Sequence, residues 1–184
     1  YSQLVLIILW SHLINKMLGT SKDIKYPGLN ILPPGVERHV VNGGGLTGFQ
    51  IFPDDELEII NNEGNQICEI ICFNKDGKSD VGILNLKSNN EKNFIRDILN
   101  GKDETILATN HQLKKRNLNI SESKSSIIFD LDTKAGESFK LKSKDKCYAI
   151  FAAPSEDMDV TNQNPPSDLT IFIKRSQIVN DKEL

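Results

Sequence analysis

What the chain lacks narrows its identity first. Its 184 residues include three cysteines, three histidines, one tryptophan and four arginines against eighteen lysines. A small, odd cysteine count builds no disulfide framework and fits a reducing cytosol. A net charge of −3 and a pI near 5.7 supply no basic face for nucleic acid. Scarce arginine also removes most of the planar forks that read phosphates and bases. The apolar run "LVLIILW" (4–10) falls far short of the roughly 18–20 residues that span a bilayer. It also lacks the basic flank and small-residue cleavage site of a signal peptide. The sequence carries no P-loop, no GxSxG elbow and no HExxH. Its histidines, His12, His39 and His111, stand far apart.

What remains is a β-rich pattern. Residues 1–16 precede the first methionine, Met17, and read as an extension outside the domain; 17–33 form a leader. After Pro33-Pro34-Gly35, short alternating runs are separated by turn residues. These are VERHVV (36–41), LTGFQIF (46–52), ELEII (56–60), QICEIICF (66–73) and VGILNL (81–86). TILAT (105–109), SSIIFDL (125–131), SFKLKS (138–143), CYAIFAA (147–153) and DLTIFIKR (168–175) continue the habit. One helix is expected over 89–101, where Phe94, Ile95, Ile98 and Leu99 keep helical spacing. Asn89 or Asn90 would cap it and Gly101 would close it. Polar residues 110–124 and 154–167 read as loops, and 177–184 as a tail. The expectation is a single domain over 34–176: mainly β, a sandwich or distorted barrel of about ten strands with one or two short helices.

The segment INNEGNQICEIICF raises the functional question. Alternation before Asn61–Gln66, an apolar run after it, and Gly64 in between predict a hairpin turning at 61–66. Cys68 and Cys72 would share one face of a strand about 13 Å apart, too far for a disulfide or a shared metal. They read as core filler. Glu69 would point the other way, and a carboxylate on a buried strand must be paired or functional. Either a Lys, Arg or Tyr side chain or the Asn65-Gln66 turn satisfies it, or Glu69, Asn65 and Gln66 together meet a small polar ligand. The glycine run at 43–45 reads as a turn or bulge, and KLKSKDK (140–146) as a solvated strand and turn.

Taken whole, PDDELEIINNEGNQICEIICFN resembles the signature of the urea carboxylase-associated family, through Glu63-Gly64-Asn65-Gln66, Glu69, Phe73 and Asn74. A second echo runs through KAGESFKLKSKDKCYAIFAAPSED, with Asp145, and NPPSDLTIFI. Hydrolytic members of that family carry a cysteine where this chain has Ala153, directly before Pro154. They also carry a histidine–aspartate pair where His111 is followed by Gln112. The resemblance therefore carries over no zinc ligands. Copies poor in ligands look like N-terminal modules of aminomethyltransferase-like proteins, whose C-terminal domain resembles the glycine cleavage T protein. The resemblance implies an accessory, cytoplasmic, non-catalytic β domain. Its partner would be a folate-binding transferase domain, with tetrahydrofolate bound there and no cofactor in this chain. Two rivals stand beside it: a free-standing hydrolase acting on a carboxylated guanidine or similar nitrogen compound, and a cupin-like module binding a small polar ligand.

Overall fold

Eight strands in two antiparallel sheets of four face each other across an apolar core. A computed structural model of the chain describes residues 32–89, 93–155 and 165–176, all within one unit, Leu32–Leu184. The strands are β1 (Val36–Val41), β2 (Leu46–Ile51), β3 (Glu56–Asn61), β4 (Cys68–Phe73), β5 (Ser125–Phe129), β6 (Glu137–Lys142), β7 (Cys147–Ala152) and β8 (Leu169–Lys174). One sheet has the order β1-β8-β3-β6 and the other β2-β7-β4-β5. The first sheet sends Val41, Leu57, Ile59, Leu141, Leu169, Ile171 and Ile173 inward. The second answers with Ile51, Cys68, Ile70, Cys72, Phe129, Cys147, Ala149 and Phe151. Each large aliphatic or aromatic side chain buried there contributes about 1.5–3 kcal/mol.

The second sheet is covered on its other face as well. Helix α1 (Phe94–Ile98) and helix α2 (Glu104–Lys115) pack Ile95, Ile106 and Leu113 against Leu46, Ile71, Phe73, Tyr148, Ile150 and Ala152. That double cover explains why β4 and β7 are buried at all six positions and read as nearly unbroken apolar runs. The expected central strand at 66–73 is therefore found, with Cys68 and Cys72 as free thiols in the core.

Several expectations are corrected. The segment 56–73 is not a hairpin: β3 pairs with β6 and β8, whereas β4 pairs with β5 and β7. Residues 62–67 carry the chain from one sheet to the other, because β3 already has a neighbour on each side. The run 81–86 is a 3-10 turn (Val81–Leu84) capped by the Asp80 carboxylate rather than a strand. TILAT and the start of the expected 110–124 loop belong to α2, which buries Ile106, Thr109 and Leu113 at helical spacing. These changes leave eight strands among the described residues, where about ten were expected.

Helix α1 is shorter than the expected 89–101 helix, and its cap is Asn93, whose side chain accepts the Arg96 N–H at 3.2 Å. Asn89 instead bonds both backbone groups of Ile127, at 2.7 and 3.0 Å, and so blunts the free edge of β5. The extension 1–16, nearly all of the leader, the 177–184 tail and residues 156–164 of the second loop lie outside the described residues. No described helix is long and apolar enough to cross a membrane.

Candidate functional site

The crossing from β3 to β4 gathers the three residues singled out above, and each meets a different part of the protein. Gly64 (φ +81°) and Asn65 (φ +54°) turn the chain through left-handed conformations. The Asn65 N–H donates to the Thr133 carbonyl at 2.8 Å. Gln66 is buried: its amide donates to the carbonyls of Ile67 (3.0 Å) and Pro154 (2.9 Å) and accepts the Ser167 N–H at 2.7 Å. It ties the crossing to the segment after β7 and to the approach to β8. Asn61 closes the same turn by donating to the Gln66 carbonyl at 2.8 Å.

Glu69 is fully buried on the helix-covered face, opposite Cys68. Its carboxylate accepts the backbone N–H of Ile95 at 2.7 Å, in the first turn of α1. An anion suits that position, where the helix leaves N–H groups without internal acceptors. A backbone donor at a helix start was not among the partners expected from sequence. Burial pushes the neighbouring Cys68 thiol up, and Glu69 adds to the shift. Cys72 is raised as well, by its hydrogen bond with Cys147 and by burial. Ala153 is also fully buried, where the resemblance would place a thiolate.

Two constellations escaped the sequence reading. In the first, Arg175 bonds Glu37 through two nitrogens, each at 2.7 Å, and Asp55 at 2.6 Å. Asp55 also accepts the N–H groups of Phe52 (2.9 Å) and Ser176 (3.0 Å). The Arg175 hydrogen bonds hold Glu37 below the ordinary carboxylate range, against the opposing effect of burial and with help from His39. His39 in turn stacks on Phe49, 4.5 Å between ring centroids.

The second is a cavity of about 350 Å³ at the end of the helix-covered sheet, walled by Phe73, Lys75, Arg116, Leu118, Lys146 and Tyr148. The Arg116 guanidinium lies over the Tyr148 ring, 5.0 Å from its centroid, and donates to Gln50 Oε1 at 3.3 Å. Burial pushes the Tyr148 phenol up, partly offset by Arg116. The contributing segments, near residues 50, 75, 116 and 147, are so far apart in sequence that no spacing rule could assemble them. A larger cavity, about 840 Å³, lies on the other sheet between β6 and the 3-10 turn. Neither of these cavities is lined by Asn65, Gln66 or Glu69. Among the described residues, no three His, Cys, Asp or Glu side chains cluster as metal ligands would.

Comparison with known proteins gives the chain a relative. No family model matches it. Over 153 residues it is 31% identical to the trimethylamine-oxide aldolase of Ruegeria pomeroyi, covering 83% of this chain. The same match spans 19% of the aldolase, so the chain corresponds to about a fifth of that relative's length. A solved DUF1989 family protein from Silicibacter pomeroyi aligns with 89% of this chain and 91% of its own, at 9% identity and a TM-score of 0.40. That score is too low to argue from.

Proposed function

We propose that this sandwich is an accessory domain of a longer, aminomethyltransferase-like protein of one-carbon metabolism, and that it is not catalytic by itself. The observation that carries the reading is the extent of the match. Most of this chain aligns with a small part of a much longer enzyme, one named for a substrate that bears N-methyl groups. In this reading, transfer of the one-carbon unit to tetrahydrofolate takes place in a folate-binding domain outside this chain. The β3–β4 crossing then has a structural part, with Gln66 and Glu69 fastening loops and α1 to the sheets.

The test is a paired assay. Consumption of trimethylamine oxide is measured, with and without tetrahydrofolate, for the chain alone and for the complete product of its open reading frame. Turnover by the complete product and none by the chain alone supports the proposal. Turnover by the chain alone, or a stop codon directly after Leu184, overturns it and favours a free-standing enzyme.

A further inference from the structure

We infer that the 350 Å³ cavity beside Tyr148 is a binding site for a small organic oxyanion, a carboxylate or a phosphate ester. This goes beyond the accessory-domain reading and does not rest on it. Three cations, Lys75, Arg116 and Lys146, line the cavity, and no carboxylate does. Asp76 and Asp145 are sequence neighbours of the two lysines, but neither lines the cavity. Asp145 is turned onto the Lys146 backbone N–H, at 2.7 Å. Among the described residues, Lys75, Arg116 and Lys146 form no ion pair. Elsewhere on this lysine-rich surface, Lys140, Lys142 and Lys174 pair with Glu58, Asp54 and Glu56. Unpaired lysines are common on this surface, so what marks the cavity is three cations in one lining with no carboxylate among them.

The walls say more about the ligand. Buried Phe73 and Tyr148, with Leu118, give the cavity an apolar side, so a ligand with a short carbon skeleton fits better than a bare ion. A volume of about 350 Å³ sits at the small end of ligand pockets. Arg116 is fixed by Gln50 and by the Tyr148 ring. A guanidinium held over an aromatic ring keeps donors for a planar oxyanion, which a lysine cannot imitate.

The Tyr148 hydroxyl faces away from this cavity, toward Gly48, so the ring and not the oxygen forms the wall here. The hydroxyl is buried and has no hydrogen-bond partner among the described residues. It sits over Gly48, where an added Cβ would come within 2.5 Å of the oxygen. Tyr148 also walls a neighbouring cavity of about 300 Å³ lined by Thr47, His111 and Gln112. One aromatic side chain thus separates a basic chamber from a second polar one. The site lies at the Cys147 end of β7, away from Ala153 and the thiolate position of the family resemblance.

The experiment is an amide NMR titration of the full chain at constant ionic strength, with succinate, glycerol phosphate, chloride and tetramethylammonium as separate probes. Saturable shifts at Gln50, Gly77, Arg116 and Tyr148 with succinate or glycerol phosphate are the expected result, and the stronger of the two names the source of the oxyanion. Arg116→Gln should weaken that binding at least tenfold, whereas Lys115→Gln, one residue away and outside the cavity, should leave it within twofold. Thermal melts of both variants establish that they are folded. The inference is overturned if chloride reproduces the shifts, if tetramethylammonium binds as well, if no probe saturates, or if folded Arg116→Gln binds like the parent chain.

Discussion

Replacing Arg175 by methionine tests the energetics of the fold most sharply, because one side chain holds two carboxylates from different strands and turns. Arg175 is 14% exposed, Asp55 1% and Glu37 42%. Removing one partner of a fully buried pair costs about 3–5 kcal/mol, since the remaining charge is left in the interior. Two features of this site reduce the figure. Glu37 can recover much of its solvation, so its loss is closer to that of a surface pair, up to about 1 kcal/mol. Asp55 keeps the Phe52 and Ser176 N–H groups, which continue to stabilise its charge. Methionine retains most of the aliphatic packing, so the expected cost is about 3 kcal/mol, drawn mainly from Asp55. At about 2–4 °C per kcal/mol for a chain of this size, the melting temperature should fall by about 6–12 °C. Urea denaturation followed by circular dichroism measures the change, and adding Asp55→Asn should restore part of it. A loss below 1 kcal/mol in the single variant would refute the reasoning.

The remaining predictions follow from other contacts. Glu69→Gln exchanges a buried, hydrogen-bonded carboxylate for a neutral amide and should cost about 1–3 kcal/mol by urea denaturation; an unchanged midpoint with altered small-ligand binding would assign Glu69 to a ligand instead. Gly64→Ala meets backbone, with a Cβ 2.7 Å from Ala135 N and 2.8 Å from Thr133 O, and should cost about 2–3 kcal/mol. Gly35→Ala, at a similar φ but with nothing within 4 Å, should cost only about 1 kcal/mol, so equal losses would show that crowding at Gly64 is unimportant. Glu37 lies below its ordinary value of 4.5 when folded. Its contribution to stability is therefore complete above that value and lost as pH falls through the lower folded value. Arg175→Met should flatten that part of an acid-unfolding profile, and an unaltered profile would exclude Glu37 as its source.

The sequence made the strands legible but not their partners. Alternation tells which residues share a face, as Leu57 and Ile59 do in β3, yet it is equally satisfied by pairing across a turn or by crossing to the opposite sheet. That is why 56–73 looked like a hairpin. TILAT has the β-branched composition of a strand, and only Leu113, further along, completes its helical stripe with Ile106 and Thr109. The oddity of Glu69 was visible as a charge in an apolar run. Its acceptance of the Ile95 N–H was not, because a backbone donor leaves no mark on side-chain identity. Arg175, Glu37 and Asp55 resemble ordinary surface charges until β8 is placed beside β1.

The strand order also sets a timetable for the chain as it is made. β1 and β3 both pair with β8, so Val41 has no partner on that side until Leu169 has left the ribosome. At about 5–20 residues per second, the delay is roughly 6–26 s. For most of it, β1, β2 and β3 are complete while their partners β6, β7 and β8 are not. β2 must likewise wait for β7. Exposed edges of this kind are what chaperones capture and what neighbouring nascent chains join by mistake. Slower translation of 137–174 would lengthen that exposure, whereas a codon change within β1 would leave it untouched.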